Sequence, residues 1–250
     1  MQLSKPLLMR LVSFGVVLAA WEYGGAIGLS AAFPSFSETF AALWGMIQDG
    51  SLGKAFAKTL EPLLIGLAIS VFFGVILGVL MGLREWAEWV FAPIFIVAQA
   101  APLAALIPIL TFAYGIGLTA KVFTVCIMAM PVIVINASSA IRNTPDSLVE
   151  MGRSFLGTRQ QIVWNIILPS ASPMIFVGLR LGVASGFIGI ILAELLITPT
   201  GIGDLISYNQ SIAEYPTMYA AILSIIIASV LFLEGMELIE KKVFRPEMRT

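Results

Sequence analysis

The sequence predicts an all-α integral membrane protein with six transmembrane helices, and three observations support this class. Of the 250 residues, 59% are hydrophobic and only 12% are charged, whereas soluble domains average about 45–50% apolar and about 25% charged residues. The mean hydropathy is +0.97. Six separate stretches are apolar over roughly the 20 residues that a helix needs to cross a bilayer.

The predicted spans follow one another along the chain at 9–31, 60–83, 88–113, 119–141, 171–197 and 217–240. The first stretch could instead belong to a cleaved signal peptide, but its apolar character continues to Leu29, which is longer than a signal h-region. Proline and glycine inside several stretches are compatible with spanning helices, because neighbouring groups can satisfy the freed backbone. Residues 35–47 are too short to cross and predict an interfacial helix with Ser37 as its N-cap.

The distribution of basic residues predicts the orientation. Six spans place both termini on one side of the membrane. With the termini in the cytoplasm, 3 of the 14 lysines and arginines (Lys54, Lys58 and Lys121) lie outside and the other 11 lie inside. The positive-inside rule favours this arrangement. It places residues 142–169 in the cytoplasm, between spans four and five.

Missing residue types exclude several functions. The sequence has no histidine and a single cysteine, Cys126, which excludes a Ser-His-Asp triad, histidine-based zinc sites and an internal disulfide. The net charge of −1 gives no overall attraction to nucleic acid. These absences narrow the classes of enzyme and metal site that this chain could contain.

The cytoplasmic segment predicts a helix–turn–helix. In NTPDSLVEMGRSFLG, Thr144 is suited to cap a helix, Pro145 suits its first position and Gly157 suits its end. A second short helix over about 159–168 would end at Pro169. This amphipathic segment is either a connector packed on its own spans or a docking element for a partner.

The spacing of Glu150, Ile166, Leu168 and Pro169 resembles the E-A-A-x-x-x-G-x(9)-I-x-L-P loop of ABC importer permeases. Two features differ from that pattern: Met151 and Gly152 replace the alanines, and Leu156 stands at the glycine position, one residue before Gly157. The segments at 102–117, 168–196 and 200–206 are similar to the nitrate/sulfonate/taurine-type permeases.

This resemblance implies a type I importer fold in which the loop is a coupling helix inserted into an ATPase. The docking residues it implies are Glu150, Met151, Gly152, Leu156, Gly157, Ile166, Leu168 and Pro169. The implied partners are two copies of a cytoplasmic ATPase that binds ATP and Mg²⁺, a second permease copy, an extracytoplasmic solute-binding protein and the lipid of a bacterial inner membrane. The implied cargo is a small solute, such as a sulfonate, nitrate or a related metabolite. No phosphate loop occurs in this sequence, since the only Gly-Lys pair is followed by alanine. The resemblance therefore implies that ATP is hydrolysed on another chain, and that this one holds no catalytic residue, metal or cofactor.

The fifth span carries the candidate pathway residues, which are Arg180, Gly182, Ser185, Gly186 and Glu194. Ionisable residues inside spans are functional candidates by default. Arg180 and Glu194 are separated by about 21 Å of helix, which is too far to pair. The small residues indicate either packing within one subunit or a pore-lining face at a dimer interface.

Two other functions remain as alternatives. One is a secondary transporter coupled to an ion gradient, although the sequence shows no clear internal repeat and few midplane charges. The other is an intramembrane protease, because GIGD at 201–204 matches its motif. That chemistry needs a second aspartate, and Asp49 and Asp146 both lie in predicted loops.

Overall fold

The computed structural model describes residues 5–197 and 200–244, and no strand occurs within those ranges. This confirms the predicted all-α class. The helices are α1 (Lys5–Ala26), α2 (Phe36–Gln48), α3 (Ser51–Leu83), α4 (Glu85–Ala100), α5 (Leu103–Tyr114), α6 (Leu118–Arg142), α7 (Asp146–Ser154), α8 (Arg159–Ile162), a π-helix (Val163–Ile167), α9 (Leu168–Leu196), α10 (Ile202–Ser211) and α11 (Tyr215–Phe244). Arg245 and Arg249, which were counted as cytoplasmic, lie outside the described residues.

The helices divide into two compact units. The first contains Met1–Lys58 and Pro199–Ile227, and the second contains Thr59–Thr198 and Ala228–Thr250. In the first unit, Ser35 caps α2 and forms a reciprocal capping box with Glu38. The predicted cap, Ser37, is wrong, because its hydroxyl instead donates to Glu22 over 2.8 Å. The Trp21 indole donates to the Pro34 carbonyl over 3.1 Å and fixes the α1–α2 connection.

Four helices in the described part of the chain are long and apolar enough to cross a membrane: Ser51–Leu83, Leu118–Arg142, Arg159–Leu196 and Tyr215–Lys242. They contain the second, fourth and sixth predicted spans and all but the last residue of the fifth. The third predicted span is not one helix, because α4 and α5 meet at a bend of 109°. The first corresponds to α1, which ends at Ala26. The count of six crossings stays a prediction.

Helix α6 is the centre of the second unit, and a row of glycines on α3 packs along it. A Cβ atom added at Gly66, Gly74, Gly78 or Gly82 would lie only 2.5–2.8 Å from α6. The nearest side chains on α6 are, in the same order, those of Val125, Ile133, Ala137 and Ile141. Residue numbers rise together along both helices, so α3 and α6 run parallel. Such close approach is the usual role of small residues between membrane helices.

A second glycine row, on α9, packs on the same bundle. Added Cβ atoms would lie 2.5 Å from Asn136 at Gly178, 2.3 Å from Ile133 at Gly182 and 3.0 Å from Met128 at Gly189. At Gly186 the nearest atom, at 2.7 Å, belongs to Leu67 on α3. Numbers on α9 rise as those on α6 fall, so these two helices are antiparallel. The structure thus places this small-residue face inside the subunit.

The parallel arrangement of α3 and α6 determines the path of α4 and α5. The chain must return from the end of α3 to the start of α6. Helix α4 packs beside the C-terminal end of α3, where Ala87 contacts Met81 and Val134. Helix α5 packs at the opposite end, where Ile107 joins Ala120 and Ala193. Helices α4 and α5 therefore lead the chain from one end of the bundle to the other, with a bend of 109° between them, and we call this pair the broken crossing.

A valine at Gly182 should disrupt this packing. Its Cβ would lie 2.3 Å from Ile133 Cγ1, and overpacking of this kind costs about 1–3 kcal/mol. We expect a lower melting temperature for the purified Gly182→Val protein, with partial recovery when Ile133→Ala makes room. Gly235→Val is the matched control, because nothing lies within 4 Å of that position. Equal melting temperatures for the two single variants would contradict the packing role.

Candidate functional site

The predicted cytoplasmic helix is present as α7, but it begins differently from the prediction. Its N-cap position is Pro145, which makes no side-chain cap hydrogen bond. The predicted cap, Thr144, is therefore wrong, and its buried hydroxyl has no hydrogen-bond partner. Asp146 occupies the first turn, where its carboxylate complements the positive end of the helix dipole.

The turn after α7 is built on Leu156, not on the glycine expected to end the helix. Leu156 has φ +57. Its N–H donates to the Arg153 carbonyl over 2.9 Å, and the Gly157 N–H donates to the Gly152 carbonyl over 3.0 Å. These two bonds form a Schellman motif with a leucine at the left-handed position. The backbone thus keeps a left-handed turn at the position of the family glycine without having that glycine.

Replacing Leu156 with glycine should stabilise this turn. The left-handed conformation costs a residue with a Cβ roughly 1–2 kcal/mol, and the entropy of glycine offsets part of that gain. We expect a net gain of roughly 1 kcal/mol, seen as about fivefold slower hydrogen exchange of the Gly157 amide. Gly157→Ala should not give this protection, because position 157 is not left-handed. Unchanged or faster exchange in Leu156→Gly would contradict the assignment.

Gly152 fixes α7 to the segment that follows it. A Cβ atom added at Gly152 would lie 2.5 Å from Ile166 Cδ1 and 3.2 Å from Ile162 Cγ1. The helix backbone therefore rests directly on these two isoleucines. This contact brings Gly152 and Ile166, two of the predicted docking residues, together. It also explains why a small residue is suited to this position.

The end of α7 presents an apolar surface to the solvent. The exposed fractions are 47% for Met151, 81% for Phe155 and 91% for Leu156. We call these three residues the apolar tip. Glu150 is also exposed beside them. The apolar face of this amphipathic segment is thus only partly packed on the chain itself, because these three residues are left uncovered by the part of the chain that the structure describes.

The second short helix does not end at Pro169, so this part of the prediction is wrong. Residues Arg159–Leu196 form one continuous helical segment of 38 residues. The π-helix Val163–Ile167 ends two residues before Pro169, and the Leu168 N–H donates to the Val163 carbonyl. This wider turn accommodates a proline ring, which clashes with the carbonyl four residues earlier in a regular helix. Farther along, the Pro169 carbonyl has no amide donor four residues later, because that residue is Pro173. The Ser172 hydroxyl donates to this carbonyl instead, over 2.8 Å.

A groove of about 670 Å³ separates α7 from the ends of α3 and α6. Charged side chains of both signs line it, including Glu85, Asp146, Arg153 and Arg159. An ion pair between Arg142 and Glu88 also borders it. Because Gly152 packs on Ile162 and Ile166, α7 is attached to the extension of α9. The arrangement links the apolar tip to a membrane-spanning helix through a short rigid path.

Arg180 and Glu194, the charged pathway candidates, belong to separate clusters. The Arg180 guanidinium lies 3.0 Å from the Glu237 carboxylate and 3.9 Å from that of Glu240. It therefore ties α9 to α11. The Arg180 side chain is 29% exposed, so this pair remains partly solvated.

Glu194 is almost fully buried with a cation beside it. Its carboxylate lies 2.9 Å from Lys121 Nζ, and the Thr59 hydroxyl donates to it over 2.9 Å. The sequence prediction missed this cluster, because it treated Lys121 as a residue of an outer loop. The sequence does contain a sign of this pair, because Lys121 lies near the start of one apolar helix and Glu194 near the end of another.

The remaining pathway candidates lie on different sides of α9. Gly182 and Gly186 are buried within the subunit, and Ser185 is half-buried with its hydroxyl donating to the Leu181 carbonyl over 3.0 Å. The structure thus brings none of these three to Arg180 or Glu194. Their role in the pathway stays a prediction.

Comparison with known proteins agrees with this geometry. The chain is 25% identical over 194 residues to the taurine transport system permease protein TauC of Escherichia coli, covering 78% of this chain and 70% of TauC. It is 28% identical over 219 residues to the riboflavin transport system permease protein RibX of Chloroflexus aurantiacus, covering 87% and 82%. The fold resembles the inward-facing MetNI methionine ABC transporter, with a TM-score of 0.60 at 21% identity over 74% of this chain and 94% of that one. The family described as binding-protein-dependent transport system inner membrane component matches residues 70–245, and the chain belongs to this family.

Proposed function

We propose that this chain is the membrane-spanning permease of an ATP-driven importer that is coupled to its ATPase through the apolar tip of α7. The observation that carries the proposal is the tip itself, where Phe155 and Leu156 are almost fully exposed on a helix held firmly by Gly152. Exposed apolar clusters rimmed by polar residues mark protein interaction sites. Membership of the family indicates that the partner is an ATPase. The attachment of α7 to α9 would transmit a movement of that ATPase to the membrane span.

In this mechanism the chain performs no bond chemistry. ATP and Mg²⁺ bind to the partner ATPase, whose closure moves α7. Helix α9 moves with α7, because Gly152 packs on its cytoplasmic extension. Membrane transporters alternate access largely by moving such rigid groups of helices around a central site. Helix α6 and the glycine rows packed on it would move as one body.

We further propose an assembly of two permease copies, two ATPases and one extracytoplasmic solute-binding protein in a bacterial inner membrane. Both termini lie in the cytoplasm in this arrangement, as the excess of basic residues on that side favours. The two copies of the permease would enclose the solute path. A tip on each copy would then contact one ATPase.

The solute is a small hydrophilic molecule delivered by the binding protein. The relatives are named for taurine, a sulfonate, and for riboflavin, so relatives of comparable identity differ in cargo. We favour a small anion such as a sulfonate or nitrate, or a related small metabolite. Selectivity rests mainly on the binding protein in this scheme, because the permease path has to pass whatever the binding protein releases.

Substitutions in residues 142–169, which we call the coupling segment, test the proposal. Glu150→Ala removes an exposed carboxylate and should lower ATP-driven uptake with little change in stability. Pro169→Ala supplies an N–H to the Asn165 carbonyl and removes the reason for the π-helix. If the π-helix then becomes a regular α-helix, the helix before it rotates by about 100° relative to the membrane span that follows. Helix α7 would rotate with it. We expect both variants to insert normally yet lose coupling of ATP hydrolysis to uptake in vesicles.

Glu214→Ala is the control, because Glu214 is exposed and lies outside the coupling segment. Normal uptake in both coupling variants would contradict the proposed role of the segment. Uptake that needs an ion gradient and proceeds without ATP would favour the secondary-transporter alternative instead.

A further inference from the structure

The broken crossing formed by α4 and α5 leaves polar backbone groups without helical partners. Pro102 has no N–H, so the Ala98 carbonyl lacks the donor that a continuous helix would supply. Helix α5 begins at the next residue, and the N-cap position of Pro102 makes no side-chain cap hydrogen bond. The Ala105 N–H donates to the Pro102 carbonyl over 2.9 Å, but the two N–H groups before it come too early in α5 to have a carbonyl partner within the helix.

The break lies at membrane depth. On one side of it, Phe95 packs against the buried cluster that includes Val134 of α6. On the other side, Ile107 packs with Ala120 of the same helix. The break therefore lies at a level between residues 120 and 134 of α6, inside that apolar span. Fourteen residues of helix correspond to about 21 Å.

The break is also uncovered on the surface of the subunit. Gln99, Ala100 and Pro102 are exposed. Irregular backbone at membrane depth is tolerated only where protein buries it or where it lines a water-filled cavity, because lipid cannot satisfy its polar groups. An exposed glutamine amide at the same place adds a further polar group. These groups require water or protein at a depth where lipid would otherwise lie.

We infer that the α4–α5 break, from Gln99 to Pro102, lines the water-filled path of the transported solute. A hydrophilic solute would exchange hydrogen bonds with water, the Gln99 amide and the free carbonyls at the end of α4. This inference rests on the proposed function and assigns one surface of the path to it. It differs from the candidates on α9, whose glycines are occupied by packing inside the subunit.

Cysteine accessibility in the intact complex tests the inference. Cys126 is the only native cysteine, so Cys126→Ala gives a cysteine-free background. In this background we compare Gln99→Cys and Ala100→Cys with Ile94→Cys. Ile94 is 58% exposed and lies about 140° around α4 from Gln99. The complex with its ATPase is reconstituted in vesicles, and a charged, membrane-impermeant methanethiosulfonate is the probe.

We expect Gln99→Cys or Ala100→Cys to be modified about tenfold faster than Ile94→Cys, because a thiol reacts as the thiolate and ionises poorly in apolar surroundings. We also expect modification at the break to abolish ATP-driven uptake. Either variant suffices if the other does not fold.

Three results would overturn the inference. Disulfide cross-linking between two copies without modification would show that a second copy buries the break. Slow modification at both positions would place it against lipid. Fast modification with full uptake would show that the break is wet but not on the path. ATP-driven uptake before modification is measured in the same vesicles, and its absence would count against the proposed function instead.

Discussion

Phe155→Ser should release the ATPase from the purified complex. Phe155 is 81% exposed at the apolar tip, so its loss should leave the folding of this chain unchanged. In an interface, an aromatic anchor of this kind carries about 2–4 kcal/mol of binding free energy. We therefore expect the ATPase to be lost during purification and uptake to fall with it.

Trp164→Ser is the matched control for this experiment. It removes a comparable exposed aromatic side chain, 64% exposed, from the same segment, residues 142–169. Trp164 borders a different depression, beside Leu83 and Arg84, and is not part of the apolar tip. Retention of the ATPase by Phe155→Ser, or its equal loss from both variants, would contradict a specific docking role for the tip.

Separating Lys121 from Glu194 should have the largest effect on folding. Both side chains are nearly inaccessible to solvent. Removing one member of a buried pair leaves an uncompensated charge and costs about 3–5 kcal/mol, whereas replacing both by apolar residues is often tolerated. We expect Lys121→Met or Glu194→Leu to lower the melting temperature by about 10 °C. The double variant should recover much of this loss.

The Arg180–Glu237 pair provides the comparison for this cycle. Its atoms are similarly close, at 3.0 Å, but its side chains are 29% and 35% exposed. Water screens such a pair, so Arg180→Gln should lower the melting temperature far less. If the double variant of Lys121 and Glu194 is as unstable as the worse single variant, the cluster is not acting as a pair.

The sequence predicted the fold class well because burial in lipid imposes a simple pattern. Long apolar runs identified α3, α6, α9 and α11. The break between α4 and α5 could not be predicted in this way, because Pro102 lies in a run that stays apolar on both sides. The continuity of α9 through Pro169 was missed for a related reason, since composition does not reveal a π-helix that accommodates a proline.

The coupling segment was predictable in position but not in detail. The spacing of Glu150 and Pro169 located it, yet the turn depends on Leu156 adopting a conformation that sequence rules assign to glycine. The buried pair of Lys121 and Glu194 could not be predicted, because the two residues are 73 positions apart in the sequence. Only the packing of α6 against α9 brings them together.

If this chain is the permease of an ATP-driven importer, an ATPase subunit should stay bound to it in the cell. The most direct measurement is to tag the chain in its native cells, purify it in mild detergent and identify its partners by mass spectrometry. We expect a stoichiometric ATPase with a Walker phosphate loop to purify with it. A chain that purifies alone and still moves solute into vesicles without ATP would contradict it.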